Sequence, residues 1–234
     1  MSTPQAAALP GEEGRGVLGR ITVEVYWVVM LTVLFGAACL PGAAVVLLME
    51  PGRPALTLLL LAVLPVGPAL AATVFAWRHR DRSEDPTPWR CFVTGYRLSG
   101  LDALKVWAVA CLALGVIGTG VLATAWGLAP TAHLVVLAVI GLVVLLSTVH
   151  ALVITAVFSF RLRDVIRLAV FHSFRVPRVT LAVLALLIAA VALVVTVGDW
   201  VVLLAAGVWT RVLAHYEQPL VDRIRTEFTT EQPV

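Results

Sequence analysis

Residues 77–107 read WRHRDRSEDPTPWRCFVTGYRLSGLDALKVW and form the longest charged interruption between long apolar runs. The runs on either side are long enough to cross a hydrocarbon core of about 30 Å, so the interruption fixes where the chain leaves the bilayer. After Pro86 and Pro88, the residues Trp89, Phe92, Val93 and Tyr96 recur at i, i+3, i+4 and i+7, with Arg90, Thr94 and Arg97 on the other side. This spacing predicts a short helix lying in the headgroup plane, rings toward lipid and guanidinium groups toward water.

Composition agrees with a membrane solvent. The chain has 234 residues, 60% hydrophobic and 13% charged, against roughly 45–50% and 25% in soluble domains. A net charge of +3 could point to nucleic acid, but the basic residues fall in short segments between apolar runs rather than on one soluble face. No nucleic-acid partner is expected. The uncharged run from Val25 to Met49 far exceeds the roughly 7–15 residue core of a cleaved signal, so it is expected to stay as an anchor.

Six spans are expected, at about 21–48, 55–78, 102–125, 131–160, 178–197 and 200–216. A second amphipathic segment, RLRDVIRLAVFHSFRVPR at 161–178, places Leu162, Val165, Ile166, Ala169 and Val170 on one face, opposite Arg161, Asp164, His172 and Arg175. The fold class predicted is an all-α integral membrane protein, a bundle of six transmembrane helices plus two short cytosolic interfacial amphipathic helices. Residues 1–20 are expected as a flexible cytosolic tail, 21–216 as the transmembrane domain and 217–234 as a cytosolic polar tail. With the amino terminus inside, sixteen of the seventeen Lys and Arg side chains fall in cytosolic segments and only Arg53 lies outside. Both termini are therefore expected in the cytosol.

Catalytic signatures are missing: there is no GxSxG, HExxH, P-loop or GxGxxG, and no pair of carboxylates within a span. The three cysteines have neither CxxC spacing nor a neighbouring histidine pair. Accordingly no enzyme activity, metal or other cofactor is expected. Polar candidates remain. Pro65, Gly67 and Pro68 interrupt the second span near its centre, where transporters often place a binding site, although transmembrane prolines also serve packing. His150, with Ser147, Thr148 and Thr155 nearby, either relays a proton or rests as a neutral ring bonded to backbone. Arg211 either pairs with a substrate anion or an acidic residue, or snorkels to headgroups. Trp89, Arg90, Phe92, Tyr96, Arg97, Arg163, Arg167 and Arg175 make either a surface attracted to anionic membrane lipids, at about 1 kcal/mol per basic residue, or a cytosolic platform for a partner protein.

The chain resembles the YesL-like family of bacterial membrane proteins in LPVGPALAA at 64–72, in the basic exit Trp77–Arg82, and in the aromatic-basic box of Trp89, Arg90, Phe92, Tyr96 and Arg97. The Arg-rich stretch ending at Val176 and Pro177 is similar too, so the likeness spans about Val25 to Leu213. Where a typical member carries Asn after the second aromatic, this chain has Ser99 and Gly100. The resemblance implies a bacterial inner-membrane protein, a non-catalytic accessory of carbohydrate uptake associated with a sugar ABC permease or its ATPase. The alternative is a small solute transporter or channel in its own right. A terminal tag on intact membranes is expected to be cut by protease from the cytosolic side only; cutting from the outer side would contradict this orientation.

Overall fold

The computed structural model describes residues 12–48, 56–80, 87–128, 130–158, 162–175, 177–198, 200–216 and 218. Eight helices and no strand occur among them: α1 Glu12–Leu47, α2 Leu56–Val63, α3 Val66–His79, α4 Pro88–Ala125, α5 Ala132–Val157, α6 Leu162–Arg175, α7 Pro177–Val197 and α8 Trp200–Tyr216. Residues 12–20, expected in a flexible tail, are the first turns of α1. The remainder of that tail, the turn at 50–54 with Arg53, Asp199, and the carboxy-terminal tail apart from Gln218 lie outside the described residues.

Five stretches are long and apolar enough to cross a membrane: Leu18–Leu47, Leu56–His79, Pro88–Ala125, Ala132–Val157 and Pro177–Val197. Their outer faces are bare hydrocarbon. Val33, Val135, Val139, Ile188 and Val191 are all exposed, apolar side chains that lipid would cover more readily than water. The sixth expected span is α8, whose 17 residues make it shorter than the other five.

Neighbouring helices run antiparallel. Glu24 meets Arg80 and Trp27 meets Trp77 between α1 and α3. Phe75 lies beside Gly95, and Leu60 beside Gly115, between α3–α2 and α4. Leu137 lies beside Gly120, and Gly141 beside Ile117, between α5 and α4. Glu24 meets Arg211, and Thr32 meets Gly207, between α1 and α8. Alternation collects the start of α1, the end of α3, the start of α4, the end of α5 and the end of α8 at one end of the bundle. Arg20, Arg78, Arg80, Arg90, Arg97, Arg163, Arg167, Arg175, Arg178 and Arg211 belong to that half, whereas the far half holds no Lys or Arg among the described residues.

The second span is two helices because its prolines lack the amide hydrogen that would close the turn. The chain turns at Leu64 and Pro65 between α2 and α3. Trp107 of α4 repairs the gap. Its Nε1–H donates to the Val63 carbonyl at 2.9 Å, which matters because lipid offers no donor to an orphaned carbonyl. The indole sits so close to Gly67 that any Cβ there would collide with it.

One expectation is corrected. The aromatic-basic box is not a separate helix in the headgroup plane but the first turns of α4, which runs unbroken for 38 residues, about 57 Å at 1.5 Å per residue. Pro88 starts it at a position where its missing amide costs nothing, and nothing between Tyr96 and Asp102 is strong enough to stop it. Arg90, Arg97, Asp102 and Lys105 all lie in the first half, whereas Val106–Ala125 carries no charge and supplies the roughly 20 residues a span requires. The box is thus a stem continuous with the span. Phe92 is buried in it against the Trp27 and Trp77 cluster rather than turned to lipid, while Trp89 and Tyr96 are exposed. By contrast α6 is a distinct helix of 14 residues. Val165 and Ala169 are buried, Arg163, Arg167 and Arg175 are exposed, and Val170, expected on the apolar face, is exposed too.

Replacing Trp107 by Phe keeps most of the ring and removes the donor. It is expected to destabilise the protein by about 1 kcal/mol, read as a lower melting temperature in mild detergent; an unchanged melt would contradict the repair of the break.

Candidate functional site

A polar cluster at one edge of the bundle is built on Glu24, a carboxylate on α1 that meets side chains from α3 and α8. Arg80, just past the end of α3, donates to Glu24 Oε2. Arg211 in α8 donates from Nε to the other oxygen, Oε1, at 2.9 Å. One acid therefore ties together three helices that are far apart in sequence. The two guanidinium groups are also held over aromatic faces: Arg80 lies 5.2 Å from the Trp27 ring centre and 5.9 Å from that of Trp77, and Arg211 lies 4.9 Å from Trp77. Such stacking attracts a cation to the ring quadrupole and fits Arg better than Lys.

Beneath the ions a neutral layer continues the contact. Trp77 Nε1 donates to the Thr210 hydroxyl at 3.3 Å, and that hydroxyl donates to the Ala206 carbonyl at 2.7 Å. One turn away, the Gly207 amide donates to the Thr32 hydroxyl at 3.0 Å, and Thr32 donates to the Val28 carbonyl at 2.8 Å. Only glycine allows this approach, since a Cβ at 207 would run into the Val28 carbonyl. With two cations on one carboxylate the cluster keeps one positive charge. The Glu24 and Arg211 side chains remain 38% and 44% exposed, so solvent weakens each pair and the stabilisation is modest.

Of the residues singled out from sequence, Arg211 takes an acidic partner. His150 is fully buried on α5, where Thr148 and Thr155 bond back to the carbonyls of Val144 and Ala151. Pro65 and Pro68 line a cleft of about 250 Å³ with Tyr96, Gly100, Leu104 and other apolar neighbours. This joins the helix break to the aromatic-basic box, two features that sequence treats separately. Within that box Trp89, Arg90, Tyr96 and Arg97 are exposed, Arg90 standing 6.0 Å from the Trp89 ring centre. Arg163, Arg167 and Arg175 border an open trough on α6. Among the described residues no group of three His, Cys, Asp or Glu side chains is placed to hold a metal ion, and Cys39, Cys91 and Cys111 are all buried.

Sequence reasoning missed Glu24 and Arg80. Glu24 stands one residue before the charge-free run, at the edge of the first span, and Arg80 is one of several arginines in the basic exit. The signal that could have found the pair is Arg211 itself, because a cation placed inside a span calls for an internal anion. Glu24 is the nearest candidate at the matching end of another span.

Compared with known proteins, the chain matches no family model, no curated protein and no solved structure.

A double-mutant cycle tests the cluster. Glu24→Gln and Arg211→Gln are each expected to lower stability in detergent, and the double variant to lose less than the sum, with a coupling of about 0.5–1 kcal/mol. Strict additivity would show that the two side chains do not interact.

Proposed function

We propose that the chain is a six-span protein of the bacterial inner membrane, both termini cytosolic, that acts by contact rather than by conduction or catalysis. Its context, carbohydrate uptake beside an ABC-type sugar permease or its ATPase, is inferred from the resemblance to the YesL-like family. The observation that carries the contact reading is the internal use of polar groups. Arg80 and Arg211 are matched to Glu24, and the carbonyl bared by the helix break is taken by Trp107. A solute path needs polar groups left available to the solute, whereas these are committed to one another.

The stem of α4 supports the same reading. Its exposed Trp89, Arg90, Tyr96 and Arg97 combine large rings with guanidinium groups, the residue types most enriched where protein surfaces bind. The concentration of basic residues in one half of the bundle supports placing that half in the cytosol. In α8, Trp200 at the start and Arg211, His215 and Tyr216 at the end frame the short sixth span with interfacial residue types.

Purification of the tagged protein in mild detergent is expected to bring a sugar permease or its ATPase with it, and Arg90→Glu with Arg97→Glu is expected to reduce that recovery about tenfold or more, as for loss of a charged hot spot. Recovery of the permease unchanged by both substitutions would overturn the stem as the docking surface. Absence of any permease component, with sugar uptake intact in a deletion strain, would overturn the accessory role.

A further inference from the structure

We propose that the groove between α4, α5 and α6 binds a single anionic phospholipid, one acyl chain in the apolar cleft and the phosphate on the arginines of α6. The cleft, about 200 Å³, is lined by Val109 and Ala113 of α4, Val143 and Val144 of α5, and Ile166 and Val170 of α6. It opens into a wider trough of about 910 Å³ on the outer side of α6, bordered by Arg163, Arg167, Phe171 and Arg175. Ile166 and Val170 line both, so the two spaces adjoin. Hydrocarbon at one end and three cations at the other is the complement of an anionic amphiphile.

Three further observations point to an occupant. Arg163 and Arg167 are one turn apart on α6, a like-charge spacing that repels, and neither has an acidic partner among the described residues; Asp164, exposed on the same helix, is outside the trough lining. A phosphate between them would remove the repulsion and add charge-assisted hydrogen bonds of the forked kind that guanidinium groups make. Next, Ser147 borders the cleft, and its hydroxyl is buried without a hydrogen-bond partner among the described residues. The ester carbonyl of a glycerolipid is an acceptor it could serve. Last, Arg175 lies 5.1 Å from the Phe171 ring centre, a contact that favours the guanidinium over the ring, and both side chains border the trough. General attraction of arginines to a charged leaflet would require the rim alone. The cleft beneath it makes this a site for one molecule.

The proposal is independent of any partner protein and is tested on the full chain in mild detergent by native mass spectrometry with added dioleoyl phosphatidylglycerol, dioleoyl phosphatidylcholine or glycerol phosphate. One phosphatidylglycerol is expected to be retained in preference to phosphatidylcholine, with no retention of tail-free glycerol phosphate. Arg163→Gln and Arg167→Gln are each expected to weaken retention about fivefold, the factor that corresponds to the loss of one basic residue near an anionic surface. Val109→Trp, at a position 45% exposed to the outside of the bundle and so tolerant of size, fills the mouth of the cleft and is expected to reduce retention with every arginine in place. Ser147→Ala is expected to weaken it slightly. Equal retention of the two phospholipids, binding of glycerol phosphate alone, or no effect of Val109→Trp would each overturn the proposal, the last by showing surface attraction only.

Discussion

Whatever a polypeptide leaves unsatisfied inside a bilayer must be satisfied by the polypeptide itself, because hydrocarbon offers neither hydrogen bonds nor counterions. This chain meets that constraint in two places. At the edge of the bundle, Glu24 takes two arginines from α3 and α8 and seats them on Trp27 and Trp77. At the break between α2 and α3, the Trp107 indole takes the Val63 carbonyl. The first arrangement joins the amino-terminal helix to the last, and the second lets a proline-broken span pack as one rod against α4. Close approach at Gly67 and Gly207 is what brings the partners within reach.

Much of the architecture was legible in the sequence because it is written in hydropathy. Long uncharged runs, a one-sided distribution of Lys and Arg, and a mid-span Pro-Val-Gly-Pro set the all-helical class, five of the expected spans and the break. The failures share one physical origin. Periodicity describes which face of a helix is apolar but not what covers it, so Trp89, Phe92, Val93 and Tyr96 looked like a helix resting on lipid. In the structure α4 continues through them, and Phe92 is covered by the protein's own tryptophans. Pairing between distant segments is likewise invisible to local patterns. Glu24, Arg80, Thr210 and Arg211 are ordinary residues at the ends of separate runs until antiparallel packing places them together. His150 stood out in sequence as a titratable group inside a span, and the structure encloses it fully on α5.

A division of labour follows between the inside and the outside of the bundle. The Glu24 cluster and the Trp107 contact act within the bundle and hold helices in register. The surface carries what remains uncommitted: the exposed rings and guanidinium groups of the α4 stem, and the arginine-rimmed groove of α6. A protein arranged in this way is suited to holding a neighbour or a lipid, and its substitutions should separate accordingly. On the proposed reading, changes at Glu24 or Trp107 act on stability, while changes on the stem or on α6 act on the retention of a partner or a lipid.

The most direct measurement of this account is solute flux through purified protein reconstituted in liposomes, using sugars, inorganic anions and protons in turn. The account predicts flux no greater than in protein-free liposomes for every solute, since Glu24, Arg80 and Arg211 are engaged with one another and the bared carbonyl is taken by Trp107. Saturable flux abolished by Arg211→Gln or by Pro65→Ala, in protein that remains folded, would contradict it and make the bundle a conduit.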